Sequence, residues 1–483
     1  MNESKVKQVT GGLIWTYAER MTAQLITIIV TIVLARIIAP DEYGIISIVN
    51  VFINIANAFV INGFGNSLIQ KKDSDELDFS TVFYFSIGFS TIVYLILFIC
   101  APFISKFYEM DALTLILRIM GVRLPIAAIN SVQQAYISKC MAFKKFFFAT
   151  LGGTLASAAV GITMAYNGFG IWALVAQYLT NVCIDTVVLS FTSGWRPKLI
   201  YSRTRMKGLF SYGWKIMFVG VMTTVYANIR NLVIGKKYNS ADLAYSEKGE
   251  QFPNAIAGNI NSSITKVLFP VLSDLQNDIE QLKRAVRRSI KVGTYVLFPI
   301  MFGFAVISEK FVSFFMTEKW IGCVPFLQIM CIVYALQPLQ TSSLQAIKAI
   351  GKSSLYLWID IIKKIVGIII LIVTVFCFDD VLIIVFGALV IELFSVIVLF
   401  PVNKKLFNYT YREQIMDIAP SMMLSIGMCL VTVAFDNMLQ INGLLAILMD
   451  IVIGVGTYLI GSVITKNENF KYILGFMLRK RGK

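Results

Sequence analysis

The sequence predicts an all-α, polytopic membrane protein of about fourteen transmembrane helices, arranged as two pseudo-symmetric six-helix lobes with an appended helix pair. Three observations carry that prediction. Of 483 residues, 57% are hydrophobic and 15% charged, against about 25% charged in soluble domains. The apolar residues fall in serial runs of about twenty, the length a helix needs to cross roughly 30 Å of hydrocarbon. Motifs near the start of the chain also recur in the same order in its second half. A soluble enzyme, a disordered hub and a single-span receptor are excluded.

The spans are expected over 12–38, 43–69, 80–105, 112–138, 145–166, 169–192, 209–235, 242–271, 286–308, 323–348, 354–378, 381–400, 415–435 and 441–464. The segment Met1 to Gly12 is polar and leads into an apolar run longer than a signal-peptide core, without a small-residue cleavage site, so it is expected to remain as the first span. An even number of spans puts both termini on one side. Assigning Lys and Arg to alternate sides gives 28 on the side of the termini and 6 on the other. Basic loops are retained in the cytoplasm. Both termini are therefore expected in the cytoplasm of a bacterial inner membrane, and most of the formal charge of +15 is topology. No soluble domain is long enough to carry a nucleic-acid footprint, so no nucleic-acid partner is expected. Of the seven cysteines, Cys100, Cys183, Cys331, Cys377 and Cys429 sit inside apolar segments and read as small core hydrophobes. There is no histidine, which removes His-ligated metal and His acid–base chemistry. No cofactor, metal site or catalytic residue is expected.

The duplication is read from matched ends. Leu34-Ala35-Arg36 followed by Ala39-Pro40-Asp41-Glu42-Tyr43-Gly44 parallels Gly235-Lys236-Lys237 followed by Ser240-Ala241-Asp242 and Tyr245-Ser246, an offset of about 201. Lys106-Phe107 recurs as Lys310-Phe311, and Ser131 with Gln134-Ala135 as Ser342 with Gln345-Ala346, at offsets of 204 and 211. Six spans is an even number, so the two copies share an orientation and a pseudo-twofold axis along the membrane normal. The expected division is 1–207 for the first lobe, 208–402 for the second, and 403–483 for the last two spans and a basic tail.

Polar residues inside the spans fall on stripes. The first span carries Thr16, Arg20, Gln24, Thr27 and Thr31 on one face. The second carries Asn50, Asn54 and Asn57, matched at offset 204 by Asn254, Gly258 and Asn261 on the eighth, whose stripe also holds Glu247, Glu250 and Thr265. Lys248 lies beside that stripe, Lys215 and Arg230 are on the seventh span, and Arg123, Asn130, Gln134 and Ser138 share a face of the fourth. Two readings of the uncharged groups stay open: hydrogen bonds between helices, worth about 0.6 kcal/mol each, or the lining of a wet cavity. An arginine at helix centre costs at least about 2.5 kcal/mol, so Arg20, Arg123 and Arg230 should meet either water or a partner. The cationic set Arg20, Arg123, Arg230, Lys215 and Lys248 is the candidate anion site, and Asn50, Asn54, Asn57, Asn254, Asn261 and Gln24 suit sugar hydroxyls.

Among interior acids, Asp360 has Lys363 and Lys364 within one turn and reads as a local pair. Asp185, Glu392 and Asp450 have no such neighbour and are candidates to couple transport to an ion, or to find interhelical partners. Pro125, Pro253, Pro299 and Pro338 should break or bend their helices. Gly152-Gly153 and Gly168 to Gly170 read as close packing and turns. The stretch 278–291, with Lys283, Arg284, Arg287 and Arg288, reads as an amphipathic cytoplasmic helix lying on anionic lipid.

Together, Leu34-Ala35-Arg36 through Pro40-Asp41-Glu42-Tyr43-Gly44, Gly63-Phe64-Gly65 with Ile69-Gln70-Lys71-Lys72, and Gln134-Ala135 leading to Phe143-Lys144-Lys145 resemble bacterial polysaccharide exporters of the Wzx type. These are O-antigen and capsule repeat-unit flippases of the multidrug/oligosaccharidyl-lipid/polysaccharide superfamily. The resemblance implies a two-lobed, MATE-like transporter that moves a polyprenyl-diphosphate-linked oligosaccharide of lipopolysaccharide, capsule or exopolysaccharide synthesis across the cytoplasmic membrane by alternating access. It implies as partners the lipid-linked substrate, membrane lipids and other polysaccharide biosynthesis proteins. In related lipid II flippases cavity arginines hold the diphosphate, a role that Arg20 matches best. Two rivals differ in chemistry. A multidrug antiporter of the same superfamily wants an acidic, aromatic cleft, whereas the first and seventh spans are basic. A glycan polymerase or ligase wants a long outward loop with catalytic groups, and every outward loop here is short.

Overall fold

The computed structural model describes residues 3–61, 64–71, 73–439 and 443–481, with the side chains of Trp15 and of 19–475 in those ranges apart from 66 and 212. Thr16, Gly63 and Lys72, singled out above, lie outside the described residues or side chains. The described chain is helical from end to end: α1 (Glu3–Ile37), α2 (Pro40–Ile61), α3 (Phe64–Gln70), α4 (Glu76–Tyr108), α5 (Ala112–Gly121), α6 (Arg123–Lys139), α7 (Lys144–Tyr166), α8 (Ile171–Thr192), α9 (Arg203–Lys237), α10 (Ser240–Asp274), α11 (Ile279–Phe311), α12 (Val324–Ala335), α13 (Gln337–Ala349), α14 (Ser353–Cys377), α15 (Val381–Phe407), α16 (Tyr411–Leu439), α17 (Leu444–Ile464) and α18 (Glu468–Arg481). A helix occupies each of the fourteen expected stretches. Twelve segments among the described residues are long and apolar enough to cross a membrane. The other two are α10, which carries Glu247, Lys248 and Glu250, and α14, which carries Asp360, Lys363 and Lys364. Amide and hydroxyl residues keep α10 below the hydropathy of a simple span, whereas α14 is apolar and set apart by its three charges, so twelve crossings stand on composition and fourteen rest on those two helices as well.

The duplication is visible in helix lengths. Both α1 and α9 have 35 residues, and each is followed after a two-residue turn by the next helix, ending at 37 and 237 and restarting at 40 and 240. Each of α4 and α11 has 33 residues. The fourth span breaks between α5 and α6, and its counterpart between α12 and α13. Pro125 and Pro338 stand in the first turn after each break, where a missing N–H costs no helical bond. By contrast, Pro253 and Pro299 lie inside unbroken helices. The helix starts correct the register of the stripes: the offset at α2 and α10 is 200, not 204, so Asn54 stands with Asn254 and Asn50 with Glu250. A four-residue slip is little more than one turn, so it keeps nearly the same face and misleads a pattern search.

By packing, the chain divides into Met1–Ala244 and Tyr245–Lys483. In the first unit α7 packs on α1 and α8, α6 on α2, α4 and α8, and α9 on α2, α3 and α4. The motif from Pro40 to Gly44 builds a corner. Asp41 accepts the Ser240 hydroxyl at 3.0 Å, and Glu42 Oε1 accepts the N–H of Ile171 at 3.1 Å, capping the start of α8 beside Gly170. A Cβ on Gly44 would stand 1.8 Å from the Ser240 carbonyl oxygen, so only glycine lets the two backbones meet. At the start of α4, Asp75 and Asp78 form a capping box, worth about 1 kcal/mol. The Asp78 N–H holds the Asp75 carboxyl below the usual carboxylate range. Asp78 itself is fully buried and takes Lys71 at 2.5 Å and Arg205 of α9 at 3.5 Å.

In the second unit α11 is the spine, packing on α12, α13, α16 and α17. Its amphipathic start does not lie on lipid as expected. Leu282, Val286 and Ile290 are buried against Leu268, Leu272, Leu339 and Ile347. Three of its cations face protein too: Arg287 grips Asp417 at 2.7 and 3.0 Å, and Lys283 and Lys291 reach Glu413 and Asp417 at 3.0 and 3.1 Å, while Arg284 stays exposed. The acids lie on α16, far along the chain, so local patterning reads this helix as free.

Candidate functional site

A guanidinium inside hydrocarbon needs compensation, which makes Arg123 the group to examine first. It opens α6 within the 28-residue segment Ala112–Lys139, about 16 Å from the start at 1.5 Å per residue. That is near the middle of a core about 30 Å thick. Its Nη1 donates to Asn50 Oδ1 on α2 at 3.5 Å, and the guanidinium lies over the Tyr178 ring of α8, 5.1 Å from the centroid. Nε is buried and meets no acceptor. Among the described residues no carboxylate pairs with it. A guanidinium has five N–H donors, and one long bond engages one of them. The ring holds the cation by its face, a contact worth about 1–2 kcal/mol, and leaves the in-plane fork open for an acceptor.

A second polar rung crosses the same two helices. Asn130 of α6 donates to Asp185 Oδ2 at 2.8 Å and to the Thr186 hydroxyl at 3.2 Å on α8, and accepts from Gln134 at 2.6 Å. Arg123 to Asn130 and Tyr178 to Asp185 are each seven residues, so the helices run parallel and the rungs lie about 10 Å apart. Gly153 of α7 lets that helix close on Asp185: a Cβ there would sit 3.3 Å from the Asp185 Cβ. The glycine pair expected to serve close packing does so at this position.

The remaining cations stand apart from this ladder. Arg20 is exposed on α1 and forms no ion pair among the described residues, while its neighbour Glu19 accepts the Thr150 hydroxyl at 3.0 Å. Arg230 is half-buried on α9 and engaged by neighbours, and Lys215 of α9 is exposed. In the second unit, Lys248 donates to Gln251 at 3.1 Å. The amide stripe divides similarly. Asn50 serves Arg123, Asn57 keeps a buried Oδ1 without a hydrogen bond, Gln24 is half-buried, and Asn54 and Asn254 are exposed. Asn261 is buried and bonds Gln337 and Thr341.

The three candidate coupling acids separate sharply. Glu392 is buried on α15 and takes Lys363 of α14 at 3.2 Å, with Gln340 bonded to both residues. Asp360 keeps Lys364, one turn away, at 2.8 Å. Asp450 on α17 takes Lys310 at 2.7 Å, and Asp436 shares that ammonium. Asp185 has amide and hydroxyl neighbours and no cation paired with it among the described residues. Pattern reading overlooked Tyr178, although its seven-residue spacing from Asp185 matches the Arg123–Asn130 spacing and marks a shared face.

Comparison with known proteins identifies the family. The profile of the family described as "Polysaccharide biosynthesis protein" matches residues 33–325. The chain is 24% identical over 362 residues to the teichuronic acid biosynthesis protein TuaB of Bacillus subtilis, covering 74% of each chain. It is 24% identical to the lipopolysaccharide biosynthesis protein WzxC of Escherichia coli, over 62% of each. Among solved structures, the lipid II flippase MurJ in an inward closed conformation superposes with a TM-score of 0.74 at 15% identity, over 94% of this chain and 98% of that one. The family match spans more than half of the sequence, including the Arg123 ladder, and the protein therefore belongs to the polysaccharide biosynthesis protein family.

Proposed function

We propose that the protein flips a polyprenyl-diphosphate-linked oligosaccharide, a repeat unit of lipopolysaccharide, capsule or exopolysaccharide, across the bacterial cytoplasmic membrane with both termini in the cytoplasm. The observation that supports this reading is the Arg123 guanidinium near the middle of its span, held by Tyr178 and Asn50, with no carboxylate partner among the described residues and with Nε left without an acceptor. A diphosphate supplies the matching acceptors, since guanidinium forks fit phosphate oxygens two at a time. The names of TuaB, WzxC and MurJ support the same class of cargo.

The job is transport rather than catalysis: moving an intact lipid-linked sugar needs a site that holds charge and releases it, with no bond made or broken. Within the first unit, Asn50, Asn54 and Gln24 would meet glycan hydroxyls, while Arg20, Arg230 and Lys215 would add to the cationic field around Arg123. Reconstitution into liposomes with defined lipid-linked sugars tests the reading: protein-dependent appearance of the sugar in the opposite leaflet supports it, and its absence with folded protein overturns it.

A further inference from the structure

Of the three carboxylates that could couple transport to an ion, Glu392 and Asp450 already have lysine ammonium groups at 3.2 and 2.7 Å. An internal cation occupies the place that an external one would take. Among the described residues Asp185 has no such counter-charge. It lies about 10 Å, two helical turns, from the guanidinium assigned to the diphosphate. Asn130 turns its amide N–H toward Asp185 and gives its carbonyl oxygen to Gln134. A sodium ion needs several oxygens turned inward, whereas the hydrogen bond made to Asp185 comes from an N–H donor, Asn130, an environment that suits a proton better.

We propose that Asp185 is the proton-coupling site of this transporter, gaining a proton from the aqueous phase when a lipid diphosphate occupies Arg123 and losing it when the diphosphate leaves. The inference rests on the reading of Arg123 as the diphosphate site. The physical link is charge. At rest Arg123 and Asp185 are opposite charges on parallel helices. A diphosphate brings two negative charges to Arg123, and a proton on Asp185 removes the repulsion they would otherwise feel. The other groups around Asp185 do not take this role. Glu19 of α1 interacts with it electrostatically but is held by Thr150, with Arg20 beside it. Helix α7 presents Gly153, α2 presents amides and places Glu42 at the far end of α8, and Arg118 of α5 turns away onto Phe98.

The test is binding of a short-chain prenyl-diphospho-N-acetylglucosamine to purified full-length protein between about pH 5 and 9. Each phosphate of this probe carries a single acidic proton lost far below that range, so any pH dependence comes from the protein. Wild type should bind up to roughly two-hundredfold more tightly toward the acid end, the factor expected from one charge acting on two over about 10 Å at an effective dielectric near 20. Asp185→Asn should hold the tight limit at every pH, Asp185→Glu should restore a pH dependence, and Glu19→Gln should leave it in place. A pH-independent wild type, or an equal slope in Asp185→Asn, overturns the proton site while leaving the diphosphate site standing. Failure of wild type to bind the probe at any pH overturns the diphosphate reading and the coupling with it.

Discussion

Arg123 lies over the face of Tyr178, 5.1 Å from the ring centroid, on parallel helices that also share the Asn130–Asp185 hydrogen bond. The ring, not a carboxylate, keeps this cation in place. Tyr178→Phe should therefore leave substrate affinity within about threefold, because the π face remains. Tyr178→Leu removes it and should weaken binding by about 1–2 kcal/mol, roughly tenfold. Binding of the prenyl-diphospho sugar to the purified variants checks both. Equal losses in the two would show that the hydroxyl, not the ring, is what matters.

Arg123→Lys keeps the charge and removes the fork. Losing paired N–H donation to phosphate oxygens should cost about 1.5–3 kcal/mol of affinity, ten- to a hundredfold. Affinity unchanged by lysine would mean that the site reads charge alone.

Gly44→Ala tests the corner at Asp41 and Ser240. The new methyl would stand 1.8 Å from a backbone oxygen, which no rotamer relieves, so the turn between α9 and α10 must shift. A loss of about 3 kcal/mol or more is expected for overpacking of this kind against backbone. Thermal unfolding in detergent should show a clear drop in midpoint, with lower yield from membranes. A midpoint equal to wild type would mean that the corner opens freely.

Lys363 and Glu392 should behave as a structural pair. Lys363→Met strands a buried carboxylate and should destabilise by about 3–5 kcal/mol, whereas Lys363→Met with Glu392→Gln should recover most of that loss. The same unfolding assay over the double-mutant cycle measures the coupling. An additive cycle would contradict a direct pair and reopen Glu392 as an ion site.

Arg20→Ala should slow flipping while leaving membrane levels normal, since this exposed side chain forms no ion pair among the described residues. Export in cells together with quantified membrane protein tests it. Wild-type export by the variant removes Arg20 from the path.

The serial runs between polar breaks mark a helix at each of the fourteen stretches, twelve of them apolar enough to cross a membrane, because crossing a bilayer imposes length and composition on every segment independently. Positive charge in loops and repeated turn motifs likewise need no tertiary information. Polar partners do. Arg287 and Asp417 are 130 positions apart and Lys363 and Glu392 are 29 apart, so the pairs that turn apparent lipid-binding and ion-binding groups into internal contacts have no local signature. The fourth-span stripe of Arg123, Asn130 and Gln134 was legible as a face, but what it faces, Tyr178 and Asp185, follows only from how α8 packs. The one-turn register error between α2 and α10 has a similar origin: a helix repeats its face every three or four residues, and only the helix ends tell one turn from the next.

The most direct test of the central assignment is the rate at which proteoliposomes translocate a polyprenyl-diphosphate-linked oligosaccharide with wild type and with Arg123→Ala, matched for folded protein by thermal unfolding. The assignment predicts a fall of at least about tenfold, the loss of one charge-assisted phosphate contact. Translocation at the wild-type rate by a folded Arg123→Ala protein would contradict it.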